Sequence, residues 1–288
     1  MHPAPSLILF TTLSGLGLGL LACLGLGFAH PEGIAAFFAY GAGYALTGGG
    51  LVAAAFHLGN PQRALRAFTQ WRTSWLSREA WASSITLLVF APVALAALFG
   101  GRVPVLGFLG AVLAILTVIA TAMIYAQLRT VPRWHHWTTP ATFLGFALTG
   151  GAILAAPPAL SAILCLVLAA LIAFGHRIGD GRFAGSGTTL ATATGLGPRI
   201  RAFEPPHTGS NYLTREMIHQ VGRKHAQKLR RIAVAASGLL PALVLLVLPY
   251  HWVTVLLAIA LHFTGALAQR WLFFAEAEHV VGLYYGRR

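Results

Sequence analysis

The feature that most constrains this chain is a series of eight apolar runs, each about as long as a bilayer is thick. A transmembrane helix needs roughly 20 apolar residues to cross the hydrocarbon. Only 9% of the residues are charged, whereas a soluble domain needs about a quarter. Lipid must therefore be the solvent for much of the chain. The runs lie near residues 6–28, 34–57, 81–100, 104–127, 139–157, 159–175, 233–249 and 252–274.

Residues typical of turns separate most of the runs, as at Pro157-Pro158 and Pro249-Tyr250-His251. Consecutive helices are therefore expected to be antiparallel neighbours. We predict an all-α, polytopic membrane protein with eight transmembrane helices in a single integral membrane domain over residues 1–288. The first run follows a flank without Lys or Arg, which favours a retained span over a signal peptide. The small-residue spacings Gly15–Gly19 and Gly41–Ala45 predict close approach between helices.

The positive charges are segregated. With eight spans, 19 of the 20 Lys and Arg residues fall on the side that bears both termini and loops 2–3, 4–5 and 6–7. Only Arg102 falls on the other side. We call the first side the basic face. The positive-inside rule predicts that it is cytoplasmic, with both termini and the loop 176–232 inside a bacterial cytoplasmic (inner) membrane. An odd number of spans would scramble this segregation.

The net charge of +13 does not indicate a nucleic-acid partner, because the basic residues lie in short loops between apolar runs. Cys23 and Cys165 lie inside such runs, and the chain has no CxxC motif. We therefore expect no iron–sulfur cluster and no metal site in this chain. His262 lies deep within the last run, but His57 and His251 are near opposite faces. A bis-histidine haem would lack a second ligand at matching depth, so no haem is expected.

Loop 2–3 is the densest polar stretch. His57 ends the second run at the membrane boundary, where an imidazole could hydrogen-bond a quinone carbonyl and exchange a proton. Arg63 could then stabilise negative charge on a reduced quinone. The alternative is an interfacial histidine that caps a helix end while the arginines hold lipid phosphates.

Loop 4–5 runs from Tyr125 through Trp134 to Pro140 and is crowded with aromatic side chains, which an interfacial aromatic belt would also explain. In loop 6–7, the apolar spacing over residues 211–231 predicts an amphipathic helix on the cytoplasmic surface, with Asn211 or Thr214 as its N-cap. That helix either lies on anionic lipid or docks a soluble partner. Arg270 could pair inside the bundle with Glu276 and Glu278, or extend to the interface.

Three stretches resemble the dimethyl sulfoxide reductase anchor subunit (DmsC) family, within the wider NrfD-like membrane subunits. They are Phe56-His57-Leu58-Gly59-Asn60-Pro61-Gln62-Arg63-Ala64, Leu76-Ser77-Arg78-Glu79, and Thr130-Val131-Pro132-Arg133-Trp134 continuing to Trp137-Thr138-Thr139-Pro140. The resemblance implies a haem-free quinone subunit that works with a four-cluster iron–sulfur protein and a molybdopterin catalytic subunit. It matches His57 to the family's histidine associated with quinol binding, Arg63 to the nearby arginine and Glu79 to the acidic residue at the start of span three. Arg270 matches an arginine of the last span only loosely.

The orientation departs from that of the exported reductases, in which the histidine-bearing loop faces outward. Here that loop is expected inside, so the partners should be cytoplasmic, as in the sulfite-oxidising relatives. The alternatives are a reductase anchor that oxidises quinol, a di-haem cytochrome b anchor or a secondary transporter. No residue is expected to act on the soluble substrate. The predicted quinone-binding residues are His57, Arg63, Glu79, Tyr125 and Trp134, and the predicted partner-docking residues are Arg66, Arg72, Arg78, Arg133, Tyr212 and Arg215.

Overall fold

The computed structural model describes residues 1–204, 206–218 and 225–286. Within these ranges the chain is helical and contains no strand, so the all-α prediction is confirmed. The eight long helices are α1 Pro5–Gly25, α2 Gly33–Ala55, α3 Trp75–Leu98, α4 Pro104–Ala126, α5 Thr138–Ala155, α6 Pro158–Gly185, α7 Ala226–Val247 and α8 Trp252–Ala275. Shorter elements are a 3₁₀ helix at Pro61–Phe68, a helix at Leu190–Thr194, a π-turn at Leu213–Met217 and a 3₁₀ helix at Val280–Tyr285.

Seven of the described helices are long and apolar enough to cross a membrane, and α2 is the exception. It has 23 residues, which is sufficient length, but six glycines and two tyrosines dilute its apolar character. The multi-pass character of the chain is therefore supported, while a count of eight spans stays a prediction.

Helix α1 is the centre of the bundle, because it packs against α2, α4, α5 and α8. Glycines allow the close approaches. A Cβ atom on Gly19 would overlap the backbone carbonyl of Ala147 in α5, and one on Gly151 would overlap the backbone of Gly19. Gly15 and Gly41, which the small-residue spacings singled out, have open space around them. The small-residue spacings therefore identified helices that pack closely, but of the three glycines they singled out only Gly19 makes a close contact.

Several helix ends differ from the ends of the apolar runs. Helix α3 begins at Trp75 rather than at 81, since the Ser74 side chain accepts a hydrogen bond from the Ser77 amide. Helix α6 continues past 175 to Gly185. Its polar extension makes ion pairs with neighbouring segments, so hydrophobicity does not mark its end.

The predicted surface helix over 211–231 also differs from the structure. Asn211 does cap a turn, because its Oδ1 accepts the Thr214 amide at 2.9 Å, but the turn is the short Leu213–Met217 segment. Residues 219–224 lie outside the described residues. From Ala226 onward the chain already belongs to α7, because its polar first turns are held by ion pairs to the bundle.

The amino terminus and the segment that follows α8 lie at one end of the bundle. The Met1 amino group donates to the Ala277 carbonyl at 2.9 Å, and the Val280 amide donates to the Thr130 carbonyl at 2.9 Å. Helices α1 and α2 are antiparallel, which brings the start of the α2–α3 loop to the same end. The amino terminus, the segment after α8 and the described parts of loops α2–α3, α4–α5 and α6–α7 therefore lie at the same end of the bundle, the basic face.

We predict that Gly19→Ala destabilises the protein, because even one methyl group must displace backbone in α5. Overpacking of this kind costs more than about 1 kcal/mol. The measurement is the thermal midpoint of the detergent-solubilised protein, followed by fluorescence-detected size exclusion. Gly41→Ala is the matched control, since nothing lies within 4 Å of its added Cβ. Equal midpoints for the two variants would contradict the packing.

Candidate functional site at the basic face

The α2–α3 segment forms an open pocket at the basic face. His57 is exposed in the turn after α2, and Arg63 is exposed on the following 3₁₀ helix. A cavity of about 400 Å³ lies beside Arg63, and we call it the loop pocket. Its walls combine hydrogen-bonding side chains with apolar ones; they include Leu58, Asn60, Arg63, Arg66, Gln70, Ser74 and Leu76.

The segment is folded back onto the start of α3. The Arg78 guanidinium donates to the carbonyls of Trp71 at 3.0 Å and Arg72 at 2.7 Å, and it lies 4.3 Å from the Trp75 ring centre. The Trp81 indole donates to the Phe68 carbonyl at 2.9 Å. Arg78, a predicted partner-docking residue, is therefore engaged within the chain and supports the wall of the loop pocket.

Three of the predicted quinone-binding residues meet inside the bundle rather than at the loop pocket. Glu79 is buried in α3, and the Thr121 hydroxyl donates to its Oε1. Tyr125, at the end of α4, lies one helical turn after Thr121. The Tyr125 ring packs edge-on against Trp134, with ring centres 5.3 Å apart. We call Glu79, Tyr125, Trp134 and the neighbouring Arg270 the buried cluster.

His57 and Arg63 are not part of the buried cluster. No contact joins either residue to Tyr125 or Trp134 in the described part of the chain. Of the buried cluster, Glu79 is nearest to the loop pocket, because it lies one helical turn after Leu76, which lines that pocket. The five residues proposed from the sequence therefore divide into an exposed pair and a buried trio.

Arg270 is the most unusual member of the buried cluster. It is 2% exposed in the middle of apolar helices, and its guanidinium lies 3.5 Å from the centre of the Phe143 ring. Among the described residues no carboxylate lies within ion-pair distance of it. A buried arginine faced by an aromatic ring gains cation–π attraction but stays only partly compensated. Both sequence-based interpretations of Arg270 are wrong: its side chain is buried rather than extended to the interface, and Glu276 pairs with other cations.

Those cations form a second polar group, the ion-pair cluster, at the basic face. Glu276 accepts from Arg133 at 2.8 Å and from Arg230 at 2.6 Å, and it lies 3.5 Å from His176 Nδ1. Asp180 accepts from Arg230 and from Arg133, the latter at 3.2 Å. The cluster ties the α4–α5 loop, α6, α7 and the end of α8 together. Arg133, a predicted docking residue, is thus largely enclosed.

The charges around Glu276 set its protonation. Burial acts to raise the pKa of Glu276, but its hydrogen bond with His176 and the positive charges of Arg133 and Arg230 outweigh that effect. The pKa is therefore held below its ordinary value of 4.5. The sequence did not predict that these charged residues meet, because they come from four segments that are far apart along the chain.

The remaining predicted docking residues are exposed. Arg66 and Arg72 project from the α2–α3 segment, and Tyr212 and Arg215 from the α6–α7 loop. That loop is tied to the C-terminal segment, since Tyr285 OH lies 2.8 Å from His207 Nδ1 and accepts from Asn211 at 3.3 Å.

Residues 1–180 match the family described as DMSO reductase anchor subunit (DmsC). The chain belongs to this family. The match spans the loop pocket together with Glu79, Tyr125 and Trp134, whereas Arg270 and Glu276 lie beyond it. The family resemblance drawn from the three sequence stretches is therefore confirmed.

Two relatives of this anchor protein extend the comparison. A sulfite dehydrogenase subunit of Allochromatium vinosum is 32% identical over 324 aligned positions, which cover 99% of this chain and 99% of that protein. The anaerobic dimethyl sulfoxide reductase chain YnfH of Escherichia coli is 32% identical over 162 positions, which cover 52% of this chain and 55% of that protein. No solved structure matches the chain significantly.

We predict that Glu276→Gln destabilises the anchor protein by about 3–5 kcal/mol at neutral pH, because it leaves two enclosed arginines partly uncompensated. In the wild type, the stability that ionised Glu276 contributes is fully present above the pKa of this carboxyl in the unfolded chain, near 4.5. It is lost as the pH falls through the lower folded pKa. The thermal midpoint measured from neutral to acidic pH should therefore drop in the wild type and change less in Glu276→Gln.

Glu32→Gln is the control for that measurement. Glu32 pairs with Arg102 at 3.1 Å, but both side chains are about half exposed, so its loss should cost less than about 1 kcal/mol. If both variants lowered the midpoint equally, the ion-pair cluster would not stabilise the fold as described.

Proposed function

We propose that this anchor protein is the quinone-binding membrane subunit of a molybdopterin iron–sulfur oxidoreductase that faces the cytoplasm. It would pass electrons between an iron–sulfur cluster of its partner and the quinone pool. The near-complete alignment with the sulfite dehydrogenase relative supports sulfite as the electron source. The observation that carries the proposal is the loop pocket, which combines apolar walls with polar donors and begins at Leu58, the residue after His57.

The proposed arrangement has eight spans, with both termini cytoplasmic in the bacterial inner membrane. The segregation of 19 of the 20 basic residues supports this sidedness. The contact between the amino terminus and Ala277 supports an even number of crossings, because both ends of the chain then meet at one face. Helix α2 counts as a span by its length and by its antiparallel packing against α1.

The residues of the loop pocket fit a quinone head group. Its volume of about 400 Å³ lies within the range of small-molecule sites, roughly 300–1,000 Å³. Asn60, Arg63 and Gln70 provide N–H donors for carbonyl oxygens, while Leu58 and Leu76 provide apolar walls. An isoprenoid tail could leave the pocket toward lipid, since neighbouring apolar side chains such as Phe56 are exposed.

When bound, a quinone takes up two electrons and two protons to become a quinol. Arg63 would donate a hydrogen bond to a carbonyl oxygen and favour the negative charge that reduction brings. His57 would exchange a proton with water at the interface, where its imidazole is exposed. Glu79 would hold a proton one helical turn deeper. The pocket thus has a charged donor on one side and proton-exchanging groups nearby.

The soluble partners would dock on the basic face. Arg66, Arg72, Tyr212 and Arg215 are exposed there and would meet an acidic surface on a four-cluster iron–sulfur protein. That protein would connect to the molybdopterin catalytic subunit. Arg78 and Arg133 would act indirectly, by holding the loops that carry the exposed residues. Anionic lipids would contact the same face around the edge of the bundle.

A second candidate is an anchor that oxidises quinol for a reductase, which the similarity to chain YnfH favours. The loop pocket would serve either direction, because the same donors contact both redox forms. The two candidates differ in the soluble substrate that supports turnover by the purified complex. Reduction of quinone by sulfite favours the first, and quinol-driven reduction of a sulfoxide favours the second.

We predict that His57→Ala lowers quinone-coupled turnover of the complex on the order of a hundredfold, the usual scale of a lost acid–base group. Dye-coupled activity of the catalytic subunit should be unchanged, because artificial dyes bypass the membrane subunit. Arg63→Gln should raise the apparent KM for quinone and leave the dye-coupled rate unchanged. Steady-state assays with a short-chain quinone and with a dye make the comparison.

His251→Ala and Arg129→Gln are the matched controls. Both residues are exposed and lie away from the loop pocket. Unchanged quinone turnover in both His57→Ala and Arg63→Gln would reject the pocket as the quinone site.

A further inference from the structure

Three cavities follow one another from the basic face toward the middle of the bundle. An outer groove of about 640 Å³ lies between α6 and α7, beside Asp180 and Arg230. An inner cavity of about 50 Å³ lies among the α4–α5 loop, α5, α6 and α8. A deep cavity of about 10 Å³ lies between α1 and α8, beside His262.

Titratable side chains form the walls between these spaces. His176 lines both the outer groove and the inner cavity. Arg270 lines both the inner and the deep cavity. A polar route therefore leads from the ion-pair cluster, where Asp180 is half exposed to water, to the buried cluster.

Some buried polar atoms along this route have no hydrogen-bond partner among the residues that the structure describes. They are His176 Nε2 and Gln269 Oε1 at the inner cavity, and Thr12 Oγ1 at the deep cavity. A buried polar atom left without a hydrogen bond bears the full cost of losing its hydration, so such atoms in folded proteins normally bind water. A cavity needs roughly 10–15 Å³ for one water. The inner cavity is therefore large enough for a few waters, and the deep cavity holds one at most.

We propose that water in the inner cavity carries protons between the basic face and the buried cluster. His176 would relay protons from the outer groove, and the water chain would end beside Arg270. The Tyr125 ring packs against Phe273, which lines the inner cavity, with ring centres 5.2 Å apart. The Thr121 hydroxyl, one helical turn before Tyr125, donates to Glu79. This inference rests on the proposed quinone function and deepens it. Each quinol formed takes two electrons from the partner and two protons from water at the basic face, and oxidation returns both.

The charge of Arg270 limits how far protons travel. A cation that lines a narrow polar passage repels hydronium, as in water channels that exclude protons. Beyond Arg270, the His262 ring is fixed by a 2.8 Å contact between its Nδ1 and the Ser237 carbonyl. The route is therefore a half-channel that supplies protons from one side without a leak across the membrane.

Gly175 offers a way to block the route. It lines the inner cavity, and a Cβ added there would lie 4.0 Å from its nearest neighbour, the Thr138 side chain. The larger side chain of Gly175→Leu would extend into the water-filled space. Gly181→Leu is the matched control on the same helix, since nothing lies within 4 Å of its added Cβ and it lines none of the three cavities.

The first measurement is hydroxyl-radical footprinting of the intact complex by synchrotron X-ray pulses and mass spectrometry. Radicals form from water in place, so Trp134 and Phe273 at the inner cavity should be oxidised well above Phe90, which is fully buried. Gly175→Leu should suppress this labelling and Gly181→Leu should not. Labelling of Trp134 and Phe273 no stronger than that of Phe90 would mean a dry cavity and would overturn the proposal.

The second measurement is turnover. Gly175→Leu should lower quinone-coupled turnover on the order of a hundredfold, with dye-coupled activity kept. If Gly175→Leu fails to assemble, Gln269→Leu removes a polar atom without added bulk and should also slow quinone turnover. If footprinting shows water in the cavity but these variants keep normal quinone turnover, the proposed proton delivery is wrong and the proposed quinone function is unaffected. Absence of quinone turnover in the wild type would overturn the proposed function and, with it, the proton supply.

Discussion

The charge pairing around Glu276 is the interaction on which the basic face depends. One enclosed carboxylate receives Arg133 from the α4–α5 loop, Arg230 from α7 and His176 from α6. In a low-dielectric setting each of these groups would be costly alone, but together they compensate one another. Their pairing fixes the ends of four segments. It also places the outer groove beside the inner cavity, and it lets α6 and α7 extend beyond their apolar runs.

The sequence predicts the architecture well because the bilayer imposes a simple rule. Backbone polar groups in lipid must be satisfied within a helix, so long apolar runs mark the helices and turn residues such as Pro157-Pro158 mark their ends. Where a helix leaves the hydrocarbon this rule no longer applies. The extensions of α3 to Trp75 and of α6 to Gly185 depend on a serine cap and on ion pairs with distant segments, which periodicity does not reveal.

The candidate site shows the same division. His57 and Arg63 were recognisable because they lie close together in one short polar loop. Grouping Glu79 with Tyr125 and Trp134 needed the fold, since α3, α4 and the α4–α5 loop bring them together. Arg270 was visible as an arginine inside an apolar run, but its position over Phe143 and its two adjacent cavities were not. The ion-pair cluster had no local pattern that could have identified it.

These features give the basic face two distinct polar regions. The loop pocket is exposed, lies within the part of the chain that matches the anchor-subunit family, and combines cations with apolar walls. The ion-pair cluster is largely enclosed, and the inner cavity connects it to Trp134 and Arg270 of the buried cluster. A redox reaction that moves both electrons and protons needs both kinds of environment. Glu79, near the start of α3, is the member of the buried cluster that lies nearest to the loop pocket.

The sidedness of the basic face is the central claim, and cysteine accessibility tests it most directly. The native Cys23 and Cys165 are both buried, so an introduced cysteine can be labelled selectively. Gln62→Cys reports on the α2–α3 segment, and Tyr250→Cys reports on the opposite end of the bundle. In intact cells, a membrane-impermeant maleimide should label Tyr250→Cys and leave Gln62→Cys unlabelled, with the pattern reversed in inverted vesicles. Labelling of Gln62→Cys from outside intact cells would contradict a cytoplasmic basic face and the assembly proposed on it.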